Sequence, residues 1–454
     1  MDIQDIISVW LMFLLGLSFF SLKWAVLGFI IHSMLVPIMQ IRIGGVVLGE
    51  NFVRIFLILS FIIYYLRKRM KIDWLPFIPF VSYFILNILI IPFQDGMPYS
   101  EMLNRWRLDV MNCLIIPFLM WYVFKVEPSA LRLFKYSILF VIAISIGYGL
   151  LLTQFDGLNP YVTLFSGIMN SRIDYESYYA AQDSGRIFGR ISSVYFHPMS
   201  FALFIGLSLL YLFYLRKSTN KIIVYLLFTA TGVMSMLCGV RSVIGGLLVA
   251  IVYFLYVGRN YRMMITTSLI VALVWSVLSN IPGLEDYVGS IFDITSKNEA
   301  VSGSSVEMRL KQLSGAIKIA SSNPLFGMGY GWTGYYGSLK GDHPVCLAFE
   351  SLIYVIMCNS GLFGFIFWTI MVIQYFQITK KLSTRESIVT SSLFIFYLSF
   401  STITGEFGYM KTFIIFYILI LGESKMVSKI AVNQLQKRRT KTWGTDIVSK
   451  LIEA

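Results

Sequence analysis

Six side chains stand out among the charged and proton-transferring residues of a mostly apolar sequence, and together their types point to one chemistry. Arg186 and Arg190 stand in GRIFGR, Arg241 in CGVRSVIGG and Arg309 in EMRLKQL, and His343 and Glu350 follow downstream. Guanidinium groups grip phosphate oxygens through paired N–H donors and do not lose their charge. Several of them converging on one cavity would suit a diphosphate-linked substrate. A transfer reaction also needs a group that orients or deprotonates the acceptor, and His343 or Glu350 can do this. On one helix these two would share a face, about 10 Å apart. No DxD or histidine cluster accompanies them, so no metal ion and no other cofactor is expected.

Each residue also has a plainer reading that the sequence leaves open. Arg309 can snorkel to lipid phosphates, and Arg186 and Arg241 can form ordinary salt bridges. His343 can cap a helix, and Glu350 can be paired within a bundle. Arg241 is the most telling of the six. It sits in a nearly loopless hairpin between two apolar runs, where a charge is costly unless paired or functional.

The elements that hold these residues are membrane helices. Hydrophobic residues make up 57% of the 454, charged residues only 13%, and mean hydropathy is +0.73. A soluble domain carries about 25% charged residues. Repeated apolar runs are long enough to cross a hydrocarbon core of about 30 Å. We read the chain as all-α, a polytopic bundle of about twelve spans at 6–38, 50–66, 74–93, 110–125, 134–154, 196–215, 221–238, 242–258, 263–279, 345–372, 388–404 and 411–422. Residues 6–38 exceed one span and contain Lys23; one long tilted helix is the preferred reading, two short crossings the other. The acidic N-terminus MDIQD lacks the basic region of a cleavable signal peptide. Cys113, Cys238, Cys346 and Cys358 have no CxxC or zinc spacing and read as lone thiols.

Charge orients the path. Six segments on one side of the alternating chain, from RKRMK at Arg67–Lys71 to the tail, hold 22 of the 37 Lys+Arg and, counted with their immediate flanks, only 6 of the 24 Asp+Glu. The positive-inside rule makes that side cytoplasmic. The net charge of +13 is then mostly an orientation signal, and no nucleic-acid partner is expected, because the basic clusters are short and lack stacking aromatics. One membrane domain over 1–422 precedes a basic cytoplasmic tail, 423–454. The outer face receives two long loops, 155–195 and 280–344. In the second, Ser304 and Glu307 fit a capping box. Val306, Leu310, Leu313, Ile317 and Ala320 then recur at helical spacing until Asn323-Pro324, which predicts an amphipathic helix at the membrane surface. Gly327, Gly329 and Gly331 follow, allowing tight turns and close approach of the backbone to a ligand.

Three stretches resemble the O-antigen polymerase and O-antigen ligase family, membrane glycosyltransferases that use undecaprenyl-diphosphate-linked glycans. They are CGVRSVIGG around Arg241, EMRLKQLSGAIKIASSNPLFGMGYG from Glu307 to Gly331, and ESLIYVIMCNSGLFGF from Glu350 to Phe365. In ligases of that family the last motif opens on His. Here Glu350 holds that place, eleven positions before Gly361, and the nearest histidine is His343. The departure favours a repeat-unit polymerase in the inner membrane with its active site facing outward. The resemblance implies that Arg241, Arg309, Arg190 and Arg186 bind the diphosphate and that Glu350 or His343 handles the acceptor. Its expected partners are a lipid-linked oligosaccharide, membrane lipids, a chain-length regulator and a flippase. The alternatives are a ligase that transfers polymer to lipid A-core, and a transporter of lipid-linked sugars.

Overall fold

Apolar runs form helices here because a helix satisfies every backbone donor and acceptor within itself. The computed structural model describes residues 2–69, 71–154, 159–168, 190–216, 220–259, 306–341, 343–346, 349–406 and 408–424. Arg186, the expected span 263–279, the Ser304–Glu307 cap and the basic tail from residue 425 lie outside the residues whose structure or side chains are described.

In chain order come α1 (Ile3–Phe20), α2 (Leu22–Leu35), a hairpin of β1 (Ile41–Ile43) and β2 (Val46–Leu48), and α3 (Glu50–Lys68). Next are α4 (Ile78–Ile90), flanked by 3₁₀ turns, α5 (Tyr99–Val126), α6 (Ala130–Leu152), α7 (Pro160–Ile168), α8 (Pro198–Leu215), α9 (Lys221–Leu237) and α10 (Arg241–Val257). The last group is α11 (Val306–Ala320), α12 (Trp332–Lys340), α13 (Leu352–Thr379) and α14 (Thr384–Thr404), with α15 over 410–424. Among the described residues seven helical stretches are long and apolar enough to cross a membrane, and three more apolar helices are shorter. This is an all-α membrane architecture apart from the small hairpin.

The run 6–38 is two helices and not one. The chain breaks at Ser21, where the backbone is extended (φ −144°, ψ 95°), and α2 folds back along α1. Arg42, beyond α2, therefore returns to Ser8 and Gln4 at the start of α1, at 2.8 and 3.3 Å. Gly28 lies so close to Leu14 that any β-carbon there would overlap it. Folding back buries both helices on the bundle: Ser18 of α1 meets Ser60 of α3 at 2.5 Å. A single tilted helix of that length would leave part of itself without a partner.

Ion pairs define one pole. Lys23 pairs with Glu127 at 3.0 Å, Lys125 with Asp73 at 2.8 Å and Lys135 with Glu423 at 3.2 Å. All but Lys23 come from the basic segments or their flanks, so their few acids neutralise neighbouring lysines. α5 runs from Arg105 and Asp109 near the opposite pole to Lys125. Twenty residues at 1.5 Å rise separate Arg105 from Lys125 by about 30 Å, the thickness of a hydrocarbon core.

α15 is the axis. Phe413 through Ile420 are all 0% exposed, which a helix apolar on every side requires. Tyr375 of α13, Phe394 and Tyr397 of α14 and Phe413 and Tyr417 of α15 make the central stack, with Tyr375 and Phe394 centroids 4.1 Å apart. α1 is the reverse: Ile6, Val9, Trp10 and Phe13 face outward while Gln4, Ser8 and Ser18 are buried. Outward apolar and inward polar side chains are what a lipid surround permits.

Candidate functional site

The site is built around a break in α13. Gly361 there has φ 56° and ψ −147°, a conformation essentially confined to glycine. A break leaves carbonyls before it and amides after it without intrahelical partners. The glycine-rich segment after α11 supplies them. Met328 N–H donates to Cys358 O at 2.7 Å and Gly329 N–H to Asn359 O at 3.2 Å, while Leu362 and Phe363 N–H donate to Pro324 O and Leu325 O at 2.9 and 3.1 Å. A β-carbon on Gly361 would sit 2.6 Å from Pro324 O, and one on Gly327 2.5 Å from Ser360 N. Both glycines serve approach of backbone to backbone, whereas Gly327 was expected from sequence to allow approach to a ligand.

Gln94, just beyond α4, clamps the assembly. Its amide nitrogen donates to Phe326 O (2.5 Å) and Asn359 O (2.9 Å), and its amide oxygen accepts from Tyr330 N–H (3.0 Å). Phe93, Phe326 and Phe363 stack in series beside it, with centroids 4.9 and 5.1 Å apart. α11 packs on α13 with Ala316 against Cys358, Gly315 lies against the Val345 carbonyl, and the predicted apolar stripe is split, Leu310 60% and Ile317 53% exposed but Ala320 buried. Small residues allow the close helix contact and leave the large ones facing outward.

Behind the break lies a cavity of about 290 Å³. Its wall joins Arg105, Asp109 and Cys113 of α5, Tyr83 of α4, Tyr330, Gly331, Thr333 and Gly334, the first turns of α13, and Glu406 with Gly408 and Met410. Tyr330 donates its hydroxyl to Asp109 Oδ2 at 3.0 Å, and Thr333 N–H donates to the Asn359 side chain at 2.9 Å. Glu406 accepts from Gly408 N–H (3.0 Å), Met410 N–H (2.8 Å) and Tyr397 Oη (3.3 Å), so it caps the axial helix. Burial pushes its carboxyl above the usual range, and those donors pull it back. Arg105 Nε is buried with no hydrogen-bond partner, and the guanidinium lies over the Tyr335 ring at 5.6 Å.

Of the five described residues singled out from sequence, none lines this cavity. Arg309 and Glu350 are brought together: the guanidinium holds the Glu350 carboxylate at 3.2 Å and also donates to the Glu350 carbonyl. Tyr354 anchors the Arg309 carbonyl at 3.1 Å. His343 and Glu350 do not share a helix, since α13 begins only at Leu352. His343 Nδ1 accepts Val345 N–H at 3.2 Å, a local cap, and its ring packs among Trp332, Tyr336 and Phe349. Partial burial and the charge of Lys340 lower its pKa. Arg241 opens α10. The segment carrying Arg190 docks on the turn before it, Ile191 N–H donating to Cys238 O at 3.3 Å. His197 caps α8 through Met199 N–H at 3.2 Å, its pKa lowered to about 4 by burial and then by the charge of Arg190.

Arg105, Asp109 and Glu406 were missed. The expected span began at 110, whereas α5 starts at Tyr99 and carries Arg105 and Asp109 one helical turn apart. RWRLD ahead of an apolar run was the available signal: an i, i+4 charge pair on a helix. Nothing local marked Glu406. The four cysteines are free and buried. No protein-family model matches the chain, and no curated protein matches it either.

Proposed function

We propose that the protein is a membrane glycosyltransferase, a polymerase of bacterial surface polysaccharide repeat units. It would transfer a growing glycan from undecaprenyl diphosphate to a sugar hydroxyl of a new lipid-linked unit. The observation that carries this reading is the Arg309–Glu350 pair next to the interlocked motif segments: a guanidinium fork already holding an anion, beside a carboxylate able to accept a proton. The side chains are 26% and 41% exposed, and such a pair is worth only about 0–1 kcal/mol. A diphosphate, with more charge and more acceptor oxygens, displaces Glu350 from the fork. The released carboxylate then takes the proton of the acceptor hydroxyl as its oxygen bonds to the anomeric carbon. The bond from that carbon to the diphosphate oxygen breaks, and its electron pair leaves on the diphosphate. Arg309, with Arg241, Arg190 and Arg186, stabilises that developing charge.

The proposal includes about twelve spans, inner-membrane location and a cytoplasmic basic pole. Cysteine in place of Lys68 should resist an impermeant thiol reagent in intact cells, and cysteine in place of Ser302 should react. The reverse pattern would overturn the orientation. A chain-length regulator and a flippase remain the proposed partners.

Glu350→Gln should remove most polymerisation of a purified lipid-linked repeat unit in vitro while the protein level stays normal. His343→Ala should be milder, because its ring nitrogen serves as a local cap. Full turnover by Glu350→Gln with loss in His343→Ala would move the catalytic role to the histidine and favour a ligase. One feature favours a transporter instead: helices broken around a cavity are typical of transporters. Glycan chain length on the carrier after gene deletion separates the three. Single units kept outside without polymer mean a polymerase. Polymer left on its carrier with undecorated lipid A-core means a ligase, and units trapped on the inner leaflet mean a transporter.

A further inference from the structure

The cavity wall is not used by the chemistry above. We infer that the cavity is a pyranose-binding subsite, built to take one neutral or amino-bearing sugar ring through Arg105 and Asp109 and to exclude the diphosphate. It rests on the glycosyltransferase reading only for the sugar's identity as acceptor.

Size is the first argument. A cavity of about 290 Å³ lies at the small end of ligand pockets, about 300–1,000 Å³, which suits a single sugar ring. Charge is the second. The wall holds one guanidinium, Arg105, against two carboxylates, Asp109 and Glu406. A diphosphate site needs a surplus of cations, and this wall has the opposite balance.

Hydrogen-bonding capacity is the third. Glu406 is committed to the α15 amides and Tyr397, so it shapes the wall. Asp109 is solvent-accessible in that wall and gives Oδ2 to Tyr330; a carboxylate keeps further acceptor sites. Arg105 lines the same wall, and its guanidinium carries five N–H donors. The two residues are one helical turn apart on α5, about 6 Å, a spacing that neighbouring ring hydroxyls can bridge. Tyr83 and Trp368, with ring centroids 5.2 Å apart, offer an apolar wall for the C–H face of the ring. Few polar groups set in an aromatic lining is how small-molecule sites gain orientation and specificity.

The test uses the full chain purified in nanodiscs and saturation-transfer NMR. The probes are methyl glycosides of glucose, galactose, rhamnose, N-acetylglucosamine and N-acetylgalactosamine, with inorganic pyrophosphate as competitor. At least one glycoside should bind, pyrophosphate should not displace it, and Gly337→Ala, away from the cavity wall, should bind it equally well. Asp109→Asn should weaken binding about ten- to a hundredfold, the worth of a hydrogen bond to a charged group. Val355→Trp, which fills the cavity from the α13 side, should abolish it, and melting temperatures check that both variants fold. Binding of no glycoside, binding unchanged by both variants, or displacement by pyrophosphate would each overturn the proposal. Asp109-dependent sugar binding in a protein that makes no polymer would keep the subsite and remove the polymerase reading. Polymerisation without such binding would do the reverse.

Discussion

Arg309→Ala is expected to lower polymer formation by about 10²–10³-fold, the usual effect of removing one preorganised donor to a developing oxyanion. Protein should still reach the membrane, because the lost ion pair is half-exposed and its net worth is only about 0–1 kcal/mol. Arg309→Lys should recover little. The guanidinium uses two nitrogens at once, one on the Glu350 carboxylate and one on the Glu350 carbonyl, and an ammonium cannot reproduce a planar fork. The assay is in vitro chain extension on a purified lipid-linked unit, read beside the amount of folded protein. Full recovery by lysine would mean that Arg309 supplies charge alone.

Gly361→Ala should be strongly destabilising. Its backbone conformation (φ 56°, ψ −147°) costs a non-glycine residue about 1–3 kcal/mol. The added carbon would lie 2.6 Å from Pro324 O and 2.8 Å from Gly327 N, and such overpacking costs about 1–3 kcal/mol more. Roughly 2–6 kcal/mol in total is a large share of a typical stability of about 5–15 kcal/mol. Monodisperse protein recovered by size exclusion should fall sharply, and the melting temperature of what remains should drop. Gly337→Ala is the control. It lies within α12 with nothing within 4 Å of the new carbon, and should be neutral or slightly stabilising. Equal tolerance of both changes would show that the interlock between 324–329 and 358–363 does not hold the site.

Much of the architecture was legible because lipid imposes a strict rule on sequence. Most apolar runs read as spans became helices within a few residues of their expected limits, as at 50–66, 74–93 and 134–154. Lys125 and Lys135, read as lying on one side, pair with Asp73 and Glu423 from segments read as lying on the same side. The pairing of PLFGMGYG with GLFG was visible only as two motifs. Their juxtaposition depends on a helix break whose unsatisfied amides and carbonyls need partners from a distant segment.

The sequence by itself determined the class, the helices and the polarity of charge, since each depends on local composition: twenty apolar residues bury their backbone polar groups as a helix wherever they stand. The tertiary structure alone decided which helix is central. Lipid and protein interior are equally apolar, so hydropathy cannot tell α15, buried on every side, from α1, exposed along one face. It alone decided, too, that Arg309 meets Glu350 41 residues away, and that Asp109 meets Tyr330 221 residues away. Such contacts follow from the packing of whole helices, which no local spacing encodes.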